Sequence, residues 1–316
     1  MSSSSSLLRV RRLRSGAAVL TPAKINLFLE IVGERPDGFH ELKSLILAVD
    51  WHDWLAVFPR PVGSEDRLRV SGEAVPATPE NLAWRALEGM RGRRPIPPVD
   101  MLLHKRIPPG SGLGGGSGNA AGMLALMNTL LDPGLCGAEL AEIGAEIGSD
   151  VPFFLGGSPG IARGRGEIVD PFKGAIFGGE SPVFLLILPY ISSSTADAYR
   201  RLTLPLTSPV GPITFPERTF DAPGHWVNGL FNRLEGAVLS ADPRLRSIAR
   251  WLQANAPGRW RMTGSGSAFY VACRDDRSAR ELASRVPREV APVAGCQVRT
   301  RRVRPRYAAG LEQGPR

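Results

Sequence analysis

Apolar and polar residues alternate with period two in segment 23–31. The odd positions are apolar and share one face of a β-strand: Ala23, Ile25, Leu27, Leu29 and Ile31. The even positions include Lys24 and Asn26, which therefore project together from the opposite face. We predict a strand whose apolar face lies on a core and whose two polar side chains can contact one ligand.

The rest of the first half mixes strand-like and helix-like patterns. Strands are predicted at about 43–49, 53–58 and 99–106, and helices at about 119–131 and 138–147. Another helix is predicted to begin near Thr78, with Pro79 at its first position and apolar residues at helical spacing up to Met90.

The pattern restarts after Gly178 and Gly179. A second set of elements is predicted as a strand at 183–188, a helix from about Thr195, helical segments near 226–239 and 244–254, a strand around 268–273, a helix at 277–286 and a strand at 295–303. We therefore predict an α+β fold of two domains, 17–180 and 181–303. A basic leader (1–16), expected to be disordered, and a basic tail (304–316) flank them.

The formal net charge of +9 is concentrated at the two ends of the chain. Residues 1–16 carry four arginines and no acid, and residues 297–316 carry six arginines and one glutamate. The 29 basic and 29 acidic side chains between them cancel, so no groove for a nucleic-acid backbone is expected. The composition, 43% hydrophobic and 22% charged, is that of a globular protein.

The chain has three widely spaced cysteines, Cys136, Cys273 and Cys296, without a CxxC pair. This usage fits a reducing compartment and predicts neither a disulfide framework nor a metal site on the protein. No membrane-spanning segment is predicted. We expect a cytoplasmic protein without a membrane partner, although the Ser- and Arg-rich leader also resembles an organelle transit peptide in composition. The pattern does not predict an oligomeric state.

A glycine-rich loop at 108–118 lies between a predicted strand and a predicted helix. Glycines let backbone N–H groups converge on phosphate oxygens at the positive end of the following helix. Segment 107–131 contains no acid, and Lys105 and Arg106 just before it add positive charge. The loop therefore predicts a phosphate site, against the alternative of a flexible surface loop.

Other phosphate loops match the sequence less well. Gly110, Gly112 and Gly115 fit the dinucleotide fingerprint formally, but the nearest following acid, Asp132, lies in a turn and not at the end of a strand. Walker A and protein-kinase motifs are missing from the sequence. These mismatches disfavour a Rossmann oxidoreductase.

Six segments resemble the GHMP kinase superfamily of small-molecule kinases. They are Pro22–Leu29, Arg35–His40, Pro109–Ala121, Gly148–Phe154, Ser194–Tyr199 and Met262–Ser267. The resemblance implies an N-terminal ribosomal-protein-S5-like domain and a C-terminal ferredoxin-like domain with the site between them. Segment 35–40 resembles the branch that phosphorylates a hydroxyl of a cytidine-diphosphate-linked alcohol in isoprenoid precursor synthesis. Kinases of the mevalonate or homoserine class are the alternative.

The resemblance also implies roles for individual residues, with ATP and Mg²⁺ as cofactors. Asp150 would be the general base and Lys24 would lie near the acceptor hydroxyl and the γ-phosphate. Substrate binding is implied for Asn26, Phe39 and His40. ATP binding is implied for the loop residues Pro108, Pro109, Gly110, Ser111, Gly112, Leu113, Gly114, Gly115, Gly116, Ser117 and Gly118.

Each assignment has a structural alternative. Asp150 is also a plausible helix N-cap, Lys24 a solvated lysine on a strand, and Phe39 with His40 an ordinary packing pair. Two positions depart from the family pattern: Phe39 stands where Tyr is common, and Gly118 stands where a second Ser is usual. Stacking on a base should survive the first change, and backbone amides would carry phosphate binding after the second.

Overall fold

The computed structural model describes residues 7–131, 134–189, 191, 193–202, 215–287 and 298–306. In chain order the strands are β1 (Arg11–Arg12), β2 (Ala17–Glu34), β3 (His40–Pro59), β4 (Arg67–Gly72), β5 (Val99–Lys105), β6 (Gly160–Arg163), β7 (Ile168–Pro171), β8 (Val183–Pro189), β9 (Phe231–Asn232), β10 (Trp260–Met262), β11 (Phe269–Cys273), β12 (Val298–Val303) and β13 (Pro305–Arg306). The helices are α1 (Leu82–Arg91), α2 (Gly115–Leu130), α3 (Gly137–Ile147), α4 (Val151–Gly156), α5 (Thr195–Arg200), α6 (Glu217–Phe220), α7 (Leu234–Ala241), α8 (Pro243–Asn255) and α9 (Asp276–Arg285). Two short 3₁₀ helices span Ile176–Gly179 and Trp226–Gly229.

The strands form two sheets. The larger has the order β1-β2-β3-β5-β4, with β6 and β13 also paired to β3, β7 paired to β6 and β9 paired to β2. The smaller is antiparallel, with the order β10-β11-β8-β12. The predicted two-part α+β organisation is confirmed, although β9 and β13 carry the second half of the chain back onto the first sheet.

The long hairpin of β2 and β3 is the centre of the larger sheet. Segments 43–49 and 53–58, predicted as separate strands, belong to one strand of 20 residues. The hairpin is buried on both faces, so the polar face of β2 is not a solvated surface: Lys24 is 4% and Asn26 3% exposed. Burial of two polar side chains on one strand requires partners for both.

The helices α1 and α2, which precede and follow β5 and the glycine-rich loop, begin at positions other than predicted. α1 begins at Leu82 instead of Thr78, because the Asn81 side chain accepts the Ala83 N–H at 3.0 Å and caps the helix. α2 begins at Gly115, within the glycine run. Glycines lower helix propensity, but they let α2 approach β2 closely: a Cβ on Gly122 would lie 2.4 Å from Thr21 Cγ2.

The predicted disordered leader is wrong for residues 7–16. Leu7 is 1% and Leu8 4% exposed, and β1 pairs with the start of β2. Burying two leucines anchors this segment, an effect that the arginine-rich composition does not reveal. At the other end, β13 pairs with β3, so the beginning of the predicted tail is also part of the fold. Among the described residues, no helix is long and apolar enough to cross a membrane.

Candidate active site

A cavity of about 1010 Å³ lies between the two halves of the molecule. One side is formed by β2, the β2–β3 turn, the glycine-rich loop and the residues before α4. The other side is formed by segment 193–202, Leu234 and the glycine turn at 264–266. The segments singled out in the sequence therefore converge on one space.

The glycine-rich loop passes from the end of β5 to the start of α2. Every residue from Pro108 to Ser117 lines the cavity, whereas Gly118 lies inside α2, where a Cβ would be 3.1 Å from the Pro22 carbonyl oxygen. Gly114 takes a φ of +70° at the N-cap of α2, and no side chain caps that end of the helix. The first N–H groups of a 16-residue helix therefore remain available for an anion.

The loop also fits against the second half of the chain. A Cβ on Gly112 would lie 2.2 Å from the Thr263 carbonyl oxygen, so glycine allows this close approach. The Ala268 N–H donates to the Ser111 carbonyl oxygen at 3.0 Å, and the Ser193 N–H donates to the Gly110 carbonyl oxygen at 3.2 Å. The glycine turn at 264–266, which lies within the motif Met262–Ser267, thus closes the cavity beside the glycine-rich loop.

Lys105 supports the loop from beneath and is not the free cation that its place in the sequence suggests. Its Nζ donates to Asp53 Oδ2 at 2.5 Å and to Asn119 Oδ1 at 3.1 Å. Lys105 is 3% exposed and Asp53 fully buried. Burial lowers the pKa of Lys105, while the Asp53 charge opposes that shift.

Asp53 joins three elements at the base of the loop. Its Oδ1 accepts the N–H groups of Arg106 at 2.7 Å and Ile107 at 2.9 Å, and its Oδ2 also accepts from Asn119 Nδ2 at 3.0 Å. Both oxygens are saturated by protein donors. This carboxylate therefore fixes the start of the loop and has no capacity left for a ligand.

Lys24 and Asn26 lie side by side, as their spacing predicts. Lys24 Nζ donates to Asn26 Oδ1 at 2.7 Å and lies 3.3 Å from Asp150 Oδ2. Asn26 Nδ2 donates to Ser44 Oγ at 2.8 Å, and the Asn26 N–H donates to Thr263 Oγ1 at 3.1 Å. The lysine is thus held at the wall of the cavity by buried neutral partners and faces a single carboxylate among the described residues.

Asp150 occupies the N-cap position of α4, but its side chain accepts no capping hydrogen bond. The carboxylate points instead towards Lys24 and is 31% exposed. A capping aspartate would direct an oxygen to the N–H groups of the first turn. The backbone of Asp150 therefore lies at the N-cap position, while its side chain contacts Lys24 and does not cap the helix.

Phe39 and His40 lie at the turn between β2 and β3 and line the cavity. Phe39 is 50% exposed, while the His40 ring packs against Tyr199 with centroids 5.1 Å apart. Burial, with the negative charge of Asp150 adding to it, raises the pKa of the Tyr199 phenol, which therefore stays neutral. The exposed face of an aromatic ring beside a histidine can stack on a planar group and bind its edge.

Sequence reasoning assigned no role to Tyr199, Thr195 or Ser265, all of which line the cavity. Thr195 Oγ1 and Ser265 Oγ lie 2.9 Å apart, which joins segment 193–199 to the glycine turn. Both segments belong to the motifs quoted above. No local sequence pattern links the two hydroxyls, because they are 70 residues apart in the chain.

The described residues hold no cluster of three or more His, Cys, Asp or Glu side chains able to bind a metal ion. At the cavity end of α2 the Ser117 hydroxyl is the available side-chain oxygen of the loop. This donor set fits an Mg²⁺ ion held mainly by nucleotide phosphates and water, with few protein ligands.

The fold, the glycine-rich loop and the paired lysine and aspartate together define a small-molecule kinase of the GHMP type. Family models for the GHMP kinases N terminal domain and the GHMP kinases C terminal match residues 81–158 and 215–292. The chain belongs to the GHMP kinase family, and the resemblance drawn from its motifs is confirmed.

Particular relatives are similar over most of their length. A 4-diphosphocytidyl-2-C-methyl-D-erythritol kinase of Geobacter sp. (strain M21) is 34% identical, covering 85% of this chain and 93% of the relative. The kinase of the same name from Gloeobacter violaceus is 38% identical, covering 82% and 86%. A crystal structure of 4-(cytidine 5'-diphospho)-2C-methyl-D-erythritol kinase matches with a TM-score of 0.71 and 30% identity, covering 91% of this chain and 99% of that one.

Proposed function

We propose that this kinase transfers the γ-phosphoryl group of ATP to the 2-hydroxyl of 4-diphosphocytidyl-2-C-methyl-D-erythritol, in the non-mevalonate route to isoprenoid precursors. The observation that carries the proposal is the position of the Lys24–Asp150 pair. It faces a cavity that has the glycine-rich loop on one side and Phe39 with His40 on another. The names of the relatives agree with this substrate.

Asp150 acts as the general base in the proposed reaction. The acceptor hydroxyl loses its proton to the Asp150 carboxylate as its oxygen forms the bond to phosphorus, and ADP leaves with the electrons of the broken P–O bond. The partial exposure of Asp150 leaves room for a hydroxyl, and Lys24 Nζ lies 3.3 Å from its Oδ2. The geometry around this carboxylate therefore suits the transfer of a proton from a bound hydroxyl.

Lys24 stabilises negative charge on the transferring phosphoryl group. Its Nζ is held 2.7 Å from Asn26 Oδ1 and 3.3 Å from Asp150, so the ammonium position is fixed before the substrates bind. Such pre-organised charge lowers the barrier without reorganisation during the reaction. Asn26 orients Lys24 through this hydrogen bond, and it also lines the cavity in which the substrate would bind.

The loop residues from Pro108 to Ser117 and the N-terminus of α2 bind the ATP phosphates, chiefly through backbone N–H groups. When bound, Mg²⁺ would neutralise negative charge on the ATP phosphates. Ser117 is the loop hydroxyl available to that ion. Gly118 supplies no side-chain oxygen, and a side chain at this position would face Pro22 on β2 and not the phosphates.

The cytosine base stacks on the exposed ring of Phe39, and His40 binds its edge. The Phe39 ring keeps the stacking surface of the usual Tyr, and the neighbouring contact between His40 and Tyr199 holds the imidazole in position. This subsite separates the proposed substrate from mevalonate and homoserine, which carry no base. A cytoplasmic location remains part of the proposal.

A coupled assay of ADP release tests the substrate. Turnover should require ATP and the cytidyl substrate, and mevalonate or homoserine should give none. The variant Phe39→Ala tests the base subsite: it should raise the KM for the cytidyl substrate by about 5- to 150-fold and leave the KM for ATP unchanged, because stacking is worth about 1–3 kcal/mol. Turnover of mevalonate or homoserine in preference to the cytidyl compound would refute the assignment.

A further inference from the structure

The basic side chains that line the cavity differ in their partners. Among the described residues they are Lys24, His40, Arg165 and Arg200. Lys24 lies beside Asp150, Arg200 pairs with Asp197, and His40 Nε2 is 4.0 Å from Glu34 Oε1. The Arg165 guanidinium has no carboxylate of a described residue within 4 Å.

Two contacts fix the Arg165 side chain without neutralising it. Its Nη2 donates to the Ala145 carbonyl oxygen at 2.7 Å, near the end of α3, and its guanidinium carbon lies 5.2 Å from the centre of the Phe39 ring. Glu167, the nearest acid in the sequence, accepts the Arg165 backbone N–H at 2.7 Å. A positive charge is therefore held at the cavity wall by a neutral carbonyl and an aromatic ring.

Arg165 lies on a turn between the two ends of the proposed substrate. It is the central residue of Gly164-Arg165-Gly166, between β6 and β7, and the flanking glycines have φ values of +70° and +118°. On one side its guanidinium contacts Phe39, where the base would stack. On the other side a Cβ on Gly166 would lie 3.3 Å from the Ser149 Cβ, next to Asp150.

We propose that Arg165 binds the diphosphate group of the acceptor substrate. This inference rests on the proposed function, because it takes the base at Phe39 and the reacting hydroxyl at Asp150. The diphosphate joins those two ends, and a guanidinium presents several N–H donors to phosphate oxygens. The contact with Phe39 adds a second effect, since the same side chain that pairs with the diphosphate orders the ring beneath the base.

Calorimetric titration with cytidine and with CDP separates charge recognition from base stacking. The full-length protein is used in the presence of a non-hydrolysable ATP analogue, which keeps CDP out of the donor site. Arg165→Met should weaken CDP binding by about 10- to 100-fold, as expected for loss of a hydrogen-bonded charge. Cytidine binding, which loses only the ordering of the Phe39 ring, should weaken by a clearly smaller factor. Arg165→Lys keeps the charge but not the planar guanidinium, so its loss of CDP affinity should be intermediate.

Arg163→Met is the matched control. Arg163 lies two residues earlier in the same hairpin, pairs with Asp170 and does not line the cavity, so its loss should alter neither titration. Equal CDP affinity in wild type and Arg165→Met would overturn the inference, as would equal losses of cytidine and CDP affinity, which would mean that Arg165 acts through Phe39 alone. If the wild-type protein binds neither cytidine nor CDP, the proposed function itself is refuted.

Discussion

The molecule contains two buried lysines that each face an aspartate, and the two pairs have different surroundings. Lys105 and Asp53 lie beneath the glycine-rich loop, 2.5 Å apart and 3% and 0% exposed. Lys24 and Asp150 lie at the cavity wall, 3.3 Å apart and 4% and 31% exposed. The residue types are the same, but only the second aspartate is open to a ligand.

The number of donors to each carboxylate explains the difference. Asp53 accepts from Lys105, Asn119 and two backbone N–H groups, which saturates both oxygens in a region closed to water. Asp150 has a lysine beside it and no capping bond. A saturated carboxylate stabilises structure, whereas a carboxylate with spare acceptor capacity in a cavity can take a proton from a substrate.

The largest expected effect is on turnover when the open pair, Lys24 and Asp150, is changed. Asp150→Asn should lower kcat by about 10²–10⁴-fold, because the amide cannot accept the hydroxyl proton. ATP binding should stay close to wild type, and the midpoint of thermal unfolding should fall less than in Asp53→Asn, because Asp150 is 31% exposed and makes no capping bond. Steady-state kinetics, nucleotide titration and thermal unfolding measure the three quantities.

Asp170→Asn is the control for this experiment, because Asp170 is exposed and pairs with Arg163 outside the cavity. It should leave kcat unchanged. Near wild-type turnover in Asp150→Asn would leave Asp150 as a helix-capping position without a part in the chemistry, and the two pairs would then not differ in function.

The second prediction concerns the contribution of the closed pair, Lys105 and Asp53, to the stability of the fold. Asp53→Asn leaves Lys105 buried without its counter-charge and should lower the free energy of unfolding by about 3–5 kcal/mol. Adding Lys105→Met removes that unpaired charge, so the double variant should recover part of the loss. Urea unfolding followed by circular dichroism gives the free energy for each variant.

Asp100→Asn is the matched control, since Asp100 on β5 is 25% exposed and its Oδ1 lies 3.0 Å from Nη1 of Arg60, the residue after β3. It should cost about 1 kcal/mol or less. If Asp53→Asn costs no more than this control, the Lys105–Asp53 pair does not anchor the loop, and the contrast between the two pairs is lost.

The open pair could be predicted in part from the sequence, and the closed pair could not. Period two placed Lys24 and Asn26 on one face of a strand, and the two side chains are indeed hydrogen-bonded. Asp53 is 52 residues away from Lys105, in a segment with no motif. Local pattern carries no information on such a pairing, because strand neighbours are set by topology rather than by spacing.

The element boundaries show the same limit. The helices α3, α8 and α9 follow from periodicity to within a few residues, because one face of each helix meets the core. The strand predicted at 23–31 is present, but β2 begins six residues earlier and ends three residues later. The start of α2 was missed because its glycines lower helix propensity, while the close approach to Thr21 that requires them is a tertiary contact. The leader was misjudged because two leucines, Leu7 and Leu8, outweigh four arginines once a core is available.

The smallest expected effect is the response of the closed region to acid. His52 precedes Asp53 on β3, and Arg306 Nη1 contacts its Nε2. Burial lowers the pKa of His52 to about 4. The positive charges of Arg306 and Arg106 add to this shift, and the negative charges of Asp50 and Asp53 oppose it. Below pH 6.5 the unfolded chain therefore binds a proton that the folded chain does not, and stability falls as the pH falls towards 4. Between pH 7 and 5 the loss should be about 1 kcal/mol at this half-buried site, or roughly 2 °C in Tm.

His52→Gln should lose less stability than wild type between pH 7 and 5, as measured by thermal unfolding. His104→Gln is the control for removing an imidazole, because His104 is exposed. An identical pH response in wild type and His52→Gln would show that protons reach the neighbourhood of Asp53 without cost, and the region beneath the loop would then be as open as the one around Asp150.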